Sequence, residues 1–482
     1  MRFSLRRFSA LPVWLLLASP FAAYAQQPVL PSRQPAQQPQ AKPQTQKPET
    51  VPTAPRLTLA EAIRIGLENN YDVRLARQDV RVAENNVTRG NAGQLPVVNG
   101  NASRTFNINN TRQQREQSKP VVINGGRANA LNANVAGTWT IFDGLGMFIA
   151  YDRLKTLDQS QQQLTRATVE ETAANITDAY FVVVREAGKI TSIEEALKIG
   201  QARIDLTQAR VDVGVSAKVE VLTARVDYNA DRSLLIQQQE ALQTAKINLN
   251  TLLGRTPGID FLPADSIVVA TTLNHDEVLA AVKQNNPRLQ QARLGTEIAT
   301  YDRRLIRASR FPQLGLTGGY GLTRNINNAF LINTATGSVL GSNVNRVFGP
   351  SYGLTASIPI FDGFNRNRLE QNARIAEVQS QLALDQTQLQ LDAQAEQAYA
   401  QYQNRLQLLE LEEANILLAR ENVAITLERY RLGLLTPLAL REAQRTQLDA
   451  EVRLLDIRYQ AKQAEIVLRR LSSGLVLDGT PR

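Results

Sequence analysis

The feature that most constrains the fold is a repeat of the chain on itself. The segment LTLAEAIRIGLENNYDVRLAR at Leu57–Arg77 returns as LNHDEVLAAVKQNNPRLQQAR at Leu273–Arg293, an offset of 216 residues. The offset becomes 219 at a second repeated motif, IFDG, and a loop in the Asn/Gly-rich stretch between them absorbs the difference. A period of this length indicates two copies of one structural unit. We predict a first repeat at residues 57–256, a connector at 257–272, a second repeat at 273–474 and a tail at 475–482.

The IFDG motifs admit two interpretations. Asp143 and Asp362 are either a catalytic carboxylate pair or the same structural corner built twice. Because the two aspartates are equivalent positions of two copies, the corner is favoured. The predicted strand-to-helix corners are Asp143-Gly144 and Asp362-Gly363.

Composition argues against most enzyme chemistry. The chain of 482 residues has no Cys and one His, so Cys- or His-based metal sites, thiol nucleophiles and Ser-His-Asp triads are nearly excluded. We predict no catalytic residue, no metal and no cofactor. The net charge of +9 is spread over Lys and Arg mixed with Glu and Asp, which is typical of a solvated helix surface and not of nucleic-acid binding.

The N-terminus is predicted to be a secretory signal peptide, residues 1–25. Three arginines precede a short apolar run that ends in Ala23-Tyr24-Ala25, a small-x-small cleavage site. A membrane anchor is the alternative, but the run is too short for a standard span. Residues 26–56 are rich in Pro and Gln and are predicted to be a disordered linker.

Each repeat is predicted to contain a very long helix. Phe364–Leu432 has neither Gly nor Pro, and its 69 residues would form a helix of roughly 100 Å. Such lengths indicate a coiled coil or bundle, and the polar faces exclude burial in lipid. Gly214 and Gly433 are predicted to end the long helices, because glycine takes the left-handed conformation. Thr436 and Pro437 then fit the N-cap and first residue of a returning helix.

Four segments alternate between apolar and small polar residues, as transmembrane β-strands do. Leu131–Ile141, Gln313–Asn325 and Tyr352–Ile360 alternate clearly, and Gln94–Asn107 less so. We expect Trp139 and Tyr320 to contact lipid, and Thr138 and Thr317 to face a lumen. A soluble, half-buried sheet is the alternative.

Four strands cannot close a barrel, and open strand edges in lipid cost several kcal/mol per unpaired group. Several copies must therefore pool their strands, and three copies would supply twelve. The polar stretches Ile108–Ala130 and Ile326–Pro350 are predicted to be external hairpin loops. The predicted fold is mostly α with transmembrane β: a tandem-duplicated protomer with two β-hairpins and long coiled-coil helices. Three protomers are expected to close a 12-stranded β-barrel.

The chain resembles the TolC-type outer-membrane efflux proteins from Leu57 to about Gly474. The resemblance rests on the duplication, the IFDG corners, the Gly214 and Gly433 turns, and the segment LREAQRTQLDAE after the second turn. It implies a homotrimeric exit duct in the Gram-negative outer membrane, for efflux or type I secretion, whose 12-stranded β-barrel continues as a long periplasmic α-barrel. The implied partners are outer-membrane lipid, a periplasmic adaptor and an inner-membrane pump of RND or ABC type. It also implies that Asp143 and Asp362 cap the junction of strand and helix.

The resemblance implies a gate at the periplasmic tip. Tyr430 matches the family's gating tyrosine, Glu442 its inner acidic ring, and Glu220 the acidic position of the first tip. A solvated helix-end carboxylate is the alternative for Glu442. Leu435 stands where some members place a linking arginine, and Ala439 where they place a second acidic ring, so the latch is expected to differ. The residues expected to dock the adaptor are Gly214, Val215, Ser216, Gly433, Leu434, Leu435, Thr436 and Pro437.

Two other classes remain as alternatives. A periplasmic adaptor is expected to have one helical hairpin between β-domains, whereas this chain has two copies with strands between helices. An envelope hydrolase using acidic residues would need a catalytic constellation, and the paired IFDG corners do not form one.

Overall fold

The computed structural model describes residues 55–114, 120–327, 331–332, 339–340 and 343–475. The predicted signal peptide, the linker except residues 55–56, and the tail except residue 475 lie outside this range. The elements of the described chain are β1 (Arg56–Leu57), α1 (Leu59–Asn69), α2 (Tyr71–Asn86), β2 (Val97–Gln113), β3 (Val121–Phe142), α3 (Gly146–Asp212), α4 (Lys218–Leu252), β4 (Leu262–Pro263), α5 (His275–Asn285), α6 (Pro287–Ala308), β5 (Gln313–Asn327), β6 (Leu331–Ile332), β7 (Val339–Leu340), β8 (Asn343–Ser357), α7 (Asn365–Arg431) and α8 (Pro437–Leu471).

The two repeats have the same order of elements: two short helices, two long strands, a very long helix and a returning helix. The helices α3 and α7 have 67 residues each, and α4 and α8 have 35 each. The long helix predicted at Phe364–Leu432 is confirmed to within one residue at each end. At about 1.5 Å per residue, α3 and α7 are each roughly 100 Å long.

Equivalent asparagines anchor the short helices to the returning helices. The Asn70 Oδ1 accepts a hydrogen bond from the Asp72 N–H (2.8 Å), and its Nδ2 donates to the Leu252 carbonyl at the end of α4 (2.9 Å). Asn286 repeats both contacts, with the Arg288 N–H (3.0 Å) and the Leu471 carbonyl (2.9 Å). Each side chain therefore caps one helix start and satisfies one helix end. This double role explains why the second asparagine of the Asn-Asn pair recurs in the sequence.

The four long strands form one antiparallel sheet in the order β2-β3-β5-β8. Residues paired across neighbouring strands share a face. One face carries most of the large side chains, among them Val98, Phe106, Val135, Trp139, Leu316, Tyr320, Leu322, Phe348, Tyr352 and Leu354. The other face, which includes Thr138 and Thr317, carries mainly Asn, Ser, Thr, Gly and Ala. The predicted alternation is confirmed, and its two faces continue across all four strands. The predicted segments are three residues too long at the start of β2, which begins at Val97, and at the end of β8, which ends at Ser357.

The predicted hairpin loops are too long. The strand β2 continues to Gln113 and β3 begins at Val121, so most of the stretch predicted as loop at Ile108–Ala130 is paired strand. The second predicted loop, Ile326–Pro350, likewise contains the first part of β8 and the two short strands β6 and β7. Polar, Asn-rich sequence favours a loop, but backbone pairing extends through these segments because backbone N–H and C=O groups pair whatever the side chain is.

Both corners between strand and helix use two consecutive left-handed residues. The φ angles are 73° at Gly144 and 69° at Leu145, and 68° at Gly363 and 64° at Phe364. The carboxylates behave differently. Asp362 Oδ2 accepts from the Arg366 N–H (3.0 Å) in the first turn of α7. The α3 N-terminus has no side-chain cap, and Asp143 Oδ1 is buried without a hydrogen-bond partner among the described residues. Asp143 was expected to cap the start of α3, but its side chain makes no capping hydrogen bond there.

Candidate gate at the helical hairpin tips

Each hairpin of long helices turns at a glycine, as predicted. Gly214 and Gly433 have φ angles of 78° and 77°. The Val215 N–H donates to the Arg210 carbonyl and the Leu434 N–H to the Arg429 carbonyl, both at 2.9 Å. These bonds close Schellman turns, which satisfy the last carbonyls of α3 and α7.

The returning helices begin differently at the two tips. Thr436 is the N-cap of α8, its Oγ1 accepts from the Ala439 N–H (3.3 Å), and Pro437 is the first helical residue. The N-cap prediction is confirmed. At the first tip the N-cap of α4 is Ala217, which has no capping side chain, and Ser216 precedes it. The second tip is thus fixed by a side-chain hydrogen bond that the first lacks.

Tyr430 is completely buried where α7 ends, and it joins the two hairpins. Its hydroxyl lies 2.7 Å from Thr207 Oγ1 on α3, and Thr207 Oγ1 in turn donates to the Arg203 carbonyl (2.7 Å). The hydroxyl of Tyr430 is therefore the donor in its own bond. Arg210 of α3 donates to the Tyr430 carbonyl (3.2 Å), and its guanidinium lies 5.3 Å from the ring centroid.

An ion-pair network lies close to Tyr430. Arg441 of α8 makes a bidentate contact with Asp231 of α4, at 2.6 and 2.9 Å, and lies 3.9 Å from Asp227. Asp227 also pairs with the buried Arg203 of α3. The hydrogen bond with Asp231 raises the pKa of Arg441, so this guanidinium stays charged. We call Arg203, Asp227, Asp231 and Arg441 the tip ion network.

Sequence reasoning missed the tip ion network. Asp227 and Asp231 are four residues apart on α4 and so share a face, which is the one signal the sequence carries. Their partner Arg441 is 210 residues away from Asp231. Leu435, which the resemblance places where some family members have a linking arginine, has an apolar side chain, and the ion pairs of the tip ion network that join the two hairpins are made by Arg441 of α8.

The carboxylates predicted to form the constriction do not join the tip ion network. Glu442 is exposed next to Arg441, and Glu220 is half-buried in the first turn of α4. Among the described residues neither carboxylate has a hydrogen bond or an ion pair. Ala439, one turn before Glu442, is half-buried. Both carboxylates are therefore free to act on something outside the protomer.

Large apolar side chains are exposed at both tips. Val213, Val215 and Val219 are 75%, 69% and 63% exposed at the first tip. Leu432, Leu434 and Leu438 are 72%, 70% and 76% exposed at the second tip, and Leu435 is half-buried. Val215, Leu434 and Leu435 are among the predicted docking residues, and both tips thus present apolar surface where docking is predicted.

Within the part of the chain that the structure describes, no three His, Cys, Asp or Glu side chains come together as a metal site would require. None of the described helices has both the length and the apolar character of a transmembrane helix.

A family model for outer membrane efflux proteins matches residues 62–255 and 278–474, one match in each repeat. The chain belongs to this family. A relative with 25% identity over 83% of both chains is the cation efflux system protein CusC of Escherichia coli K12. Another, with 25% identity over 71% of this chain and 69% of the relative, is protein CyaE of Bordetella pertussis. The fold is similar to that of the outer membrane protein VceC from Vibrio cholerae, with a TM-score of 0.68 and 17% identity over 86% of this chain and 96% of VceC.

Membership of the outer membrane efflux proteins settles the broad class. The chain is an outer-membrane channel protein with a periplasmic extension, and it is a transport protein rather than an enzyme. The alternative of a periplasmic adaptor has no support among these relatives. The hydrolase alternative is excluded on the same ground.

Proposed function

We propose that three copies of this chain form an exit duct across the outer membrane and the periplasm. The observation that carries the proposal is the open sheet. Its outer strands β2 and β8 each pair with one neighbour in the sheet, and one of its faces is apolar. Unpaired strand edges are not stable in lipid. Three chains supply twelve strands, an even number within the range of known barrels.

The repeat structure supports closure by further copies. In the protomer, α3 of the first repeat packs against α6 and α8 of the second. Among the described elements, the equivalent helix α7 packs mainly against α5, α6 and α8, which all belong to its own repeat. Two large apolar side chains of α3 are exposed, Phe148 and Leu164, against ten on α7. The ten are Leu369, Ile375, Val378, Leu382, Leu389, Leu408, Leu411, Leu417, Leu418 and Ile425. A neighbouring copy that offers its first repeat to α7 would cover them.

The duct is proposed to close at the hairpin tips. Tyr430 and the tip ion network hold the α7/α8 hairpin to the α3/α4 hairpin within each protomer. Threefold symmetry would place three Glu442 carboxylates around the pore axis, with Glu220 as the next candidate for the constriction. A ring of carboxylates selects cations and binds multivalent ones.

The partners proposed for the tips are a periplasmic adaptor and an inner-membrane pump of RND or ABC type. The exposed valines and leucines beside Gly214 and Gly433 are the surface that an adaptor would cover. Two relatives are named for export: CusC for cation efflux and OpmQ of Pseudomonas putida for pyoverdine export. We propose an efflux or secretion role of the same kind for this chain.

The test is single-channel conductance in planar bilayers with a trivalent cation added from the periplasmic side. Wild-type channels should be blocked, and Glu442→Gln should abolish the block because it removes the ring's charge and little else. Glu220→Gln, an equal charge change at the first tip, is the matched control and should leave the block in place. Unchanged block in Glu442→Gln, with block lost in Glu220→Gln, would move the constriction to the first tip. A protein that forms no channels would contradict the duct itself.

A further inference from the structure

A row of arginines crosses the apolar face of the sheet. The strand register aligns Arg104 of β2 with Leu131 of β3, Leu131 with Arg324 of β5, and Arg324 with Arg346 of β8. We call Arg104, Arg324 and Arg346 the arginine row. All three side chains are exposed.

The arginine row belongs to the apolar face and not to the polar one. The Arg104 guanidinium lies 4.8 Å from the ring centroid of Phe106, and that of Arg346 lies 5.6 Å from the ring of Phe348. In each case the ring is two residues away on the same strand, where side chains share a face. The arginines therefore stand among the side chains proposed to contact lipid.

The position of the row along the strands corresponds to lipid headgroups. Leu316, which pairs with Trp139, lies near the helix end of the sheet, and Arg324 lies eight residues further along β5. At about 3.3 Å per residue this is roughly 26 Å along the strand. With a strand tilt of about 35–45°, the rise along the membrane normal is roughly 20 Å, and the apolar band of such barrels is about 25 Å tall. Because the helices extend into the periplasm, the arginine row lies at the outer edge of that band.

No carboxylate in the strands can neutralise the row. Residues 97–113, 121–142, 313–327 and 343–357 contain no Asp and no Glu. Arg324 and Arg346 are directly opposite each other, and like charges in a cross-strand pair are destabilising. Arg104 has one polar contact, from its Nε to Asn129 Oδ1 at 3.4 Å. An anion that bridges Arg324 and Arg346 would remove their repulsion.

Phosphate is the anion that suits this arrangement. A guanidinium offers a planar fork of N–H donors that matches phosphate oxygens, and such charge-assisted bonds are strong in a weakly hydrated setting. Below the row, on the periplasmic side, the same face presents Leu322, Phe348 and Tyr320. The arginine row with apolar side chains on its periplasmic side therefore matches a lipid whose phosphates lie at the membrane surface and whose acyl chains lie below them.

We infer that the arginine row binds the phosphate groups of a phosphorylated glycolipid of the outer leaflet, the chemistry of lipopolysaccharide. This inference rests on the proposed barrel, since the apolar face must contact lipid. Arg324 and Arg346 hold one phosphate between them, and Arg104 contacts the headgroup from two strands away.

Native mass spectrometry of the full-length mature protein in detergent tests the inference. The probes are bisphosphorylated lipid A, the same lipid after removal of both phosphates, and phosphatidylglycerol. Wild type should retain bisphosphorylated lipid A in preference to the other two. Each arginine near an anionic lipid surface contributes roughly fivefold in affinity, so Arg324→Gln/Arg346→Gln should lose about 25-fold. Arg445→Gln, which removes one positive charge at an exposed position of α8, should lose nothing, against about fivefold for Arg324→Gln or Arg346→Gln alone.

Three results would overturn the inference. They are equal binding of the dephosphorylated lipid, equal binding of phosphatidylglycerol, and unchanged lipid A affinity in the double variant. If the double variant does not assemble, Arg324→Lys/Arg346→Lys is used instead. It keeps the positive charges but lacks the planar guanidinium donors, so it should retain an intermediate affinity for lipid A. A wild-type oligomer that shows no phosphate preference contradicts only the lipid site. A chain that forms no oligomer contradicts the barrel as well.

Discussion

At the scale of single residues, the tip of the protomer is held by one tyrosine and one arginine. The Tyr430 hydroxyl and the Arg441 guanidinium each reach the other hairpin, to Thr207 and Asp231. The side chain of Asp231 is 10% exposed and that of Arg441 is 24% exposed. A carboxylate this buried is costly when its partner is removed, so the pair resists separation of the hairpins more than a surface pair would.

Arg441→Gln should therefore loosen the tip. The change leaves Asp231 without its bidentate partner, at a cost of about 1–3 kcal/mol to the closed arrangement. We expect a larger mean single-channel conductance than wild type. Arg445→Gln is the control: it lies one turn further on α8, is 71% exposed and has a 4.0 Å pair with Asp449. Equal conductance in wild type and Arg441→Gln would show that the tip ion network does not hold the gate closed.

His275 provides a pH-dependent contact between α5 and α7. Its Nε2 lies 3.1 Å from Glu396 Oε2 and its Nδ1 lies 3.0 Å from Asp276 Oδ1. The hydrogen bond with Glu396, and then the one with Asp276, raise the pKa of His275 above its ordinary value of about 6.5. A raised pKa in the folded state means that the contact stabilises fully below about pH 6.5 and is lost as pH rises through the folded-state pKa.

Because His275 is the chain's one histidine, a histidine-specific NMR label gives a single titration curve. We expect a midpoint above that of a free histidine, and Glu396→Gln should lower it. Asp385→Gln, a similar loss of charge elsewhere on α7, should not. A wild-type midpoint at or below the free value would show that the two carboxylates do not engage the ring.

At the scale of elements, the two corners between strand and helix are alike in backbone and unlike in surroundings. A Cβ on Gly144 would lie 2.4 Å from the Ala308 carbonyl and 2.7 Å from Phe311 Cβ, at the end of α6. A Cβ on Gly363 would meet nothing within 4 Å. By the repeat offset of 216, the positions equivalent to Ala308 and Phe311 are Ala92 and Leu95 of the first repeat. In the proposed trimer, the first repeat of a neighbouring copy would pack against this open corner.

Gly363→Ala should thus impair assembly more than its backbone strain explains. An alanine at φ 68° costs about 1–2 kcal/mol in the protomer, and in the oligomer it would also clash with the neighbour. Gly125→Ala is the control, since Gly125 has φ 69° and nothing within 4 Å of a Cβ. The measurement is the oligomer yield after extraction. Equal yields from the two variants would mean that no neighbour packs against the second corner.

At the scale of the whole molecule, the sequence predicts what repeats and what is local. The duplication follows from similarity at an offset of 216–219 residues, and the length of α7 from a 69-residue stretch without Gly or Pro. The turns at Gly214 and Gly433 and the Thr436 cap follow from residues within a few positions of each turn. The ends of the strands could not be predicted from the sequence, because backbone pairing does not depend on the Asn-rich side chains of β2 and β3. The difference in hydrogen bonding between Asp143 and Asp362 could not be predicted either, because it depends on which residues pack beside each corner.

The position of the candidate site along the chain could be predicted from the sequence, but the side-chain contacts that form it could not. Tyr430 was singled out by resemblance, whereas its contacts with Thr207 and Arg210 join residues more than 200 positions apart. The tip ion network was missed for the same reason. Contacts between distant helices are set by the register of two long helices, and a single sequence does not record that register.

In the proposed channel, three chains pool their strands into one barrel. The direct measurement is the mass of the mature protein extracted from the outer membrane in detergent, by native mass spectrometry. We predict a mass of three chains, because an open four-stranded sheet has two strand edges to pair. A stable monomer that is soluble without detergent would contradict the account.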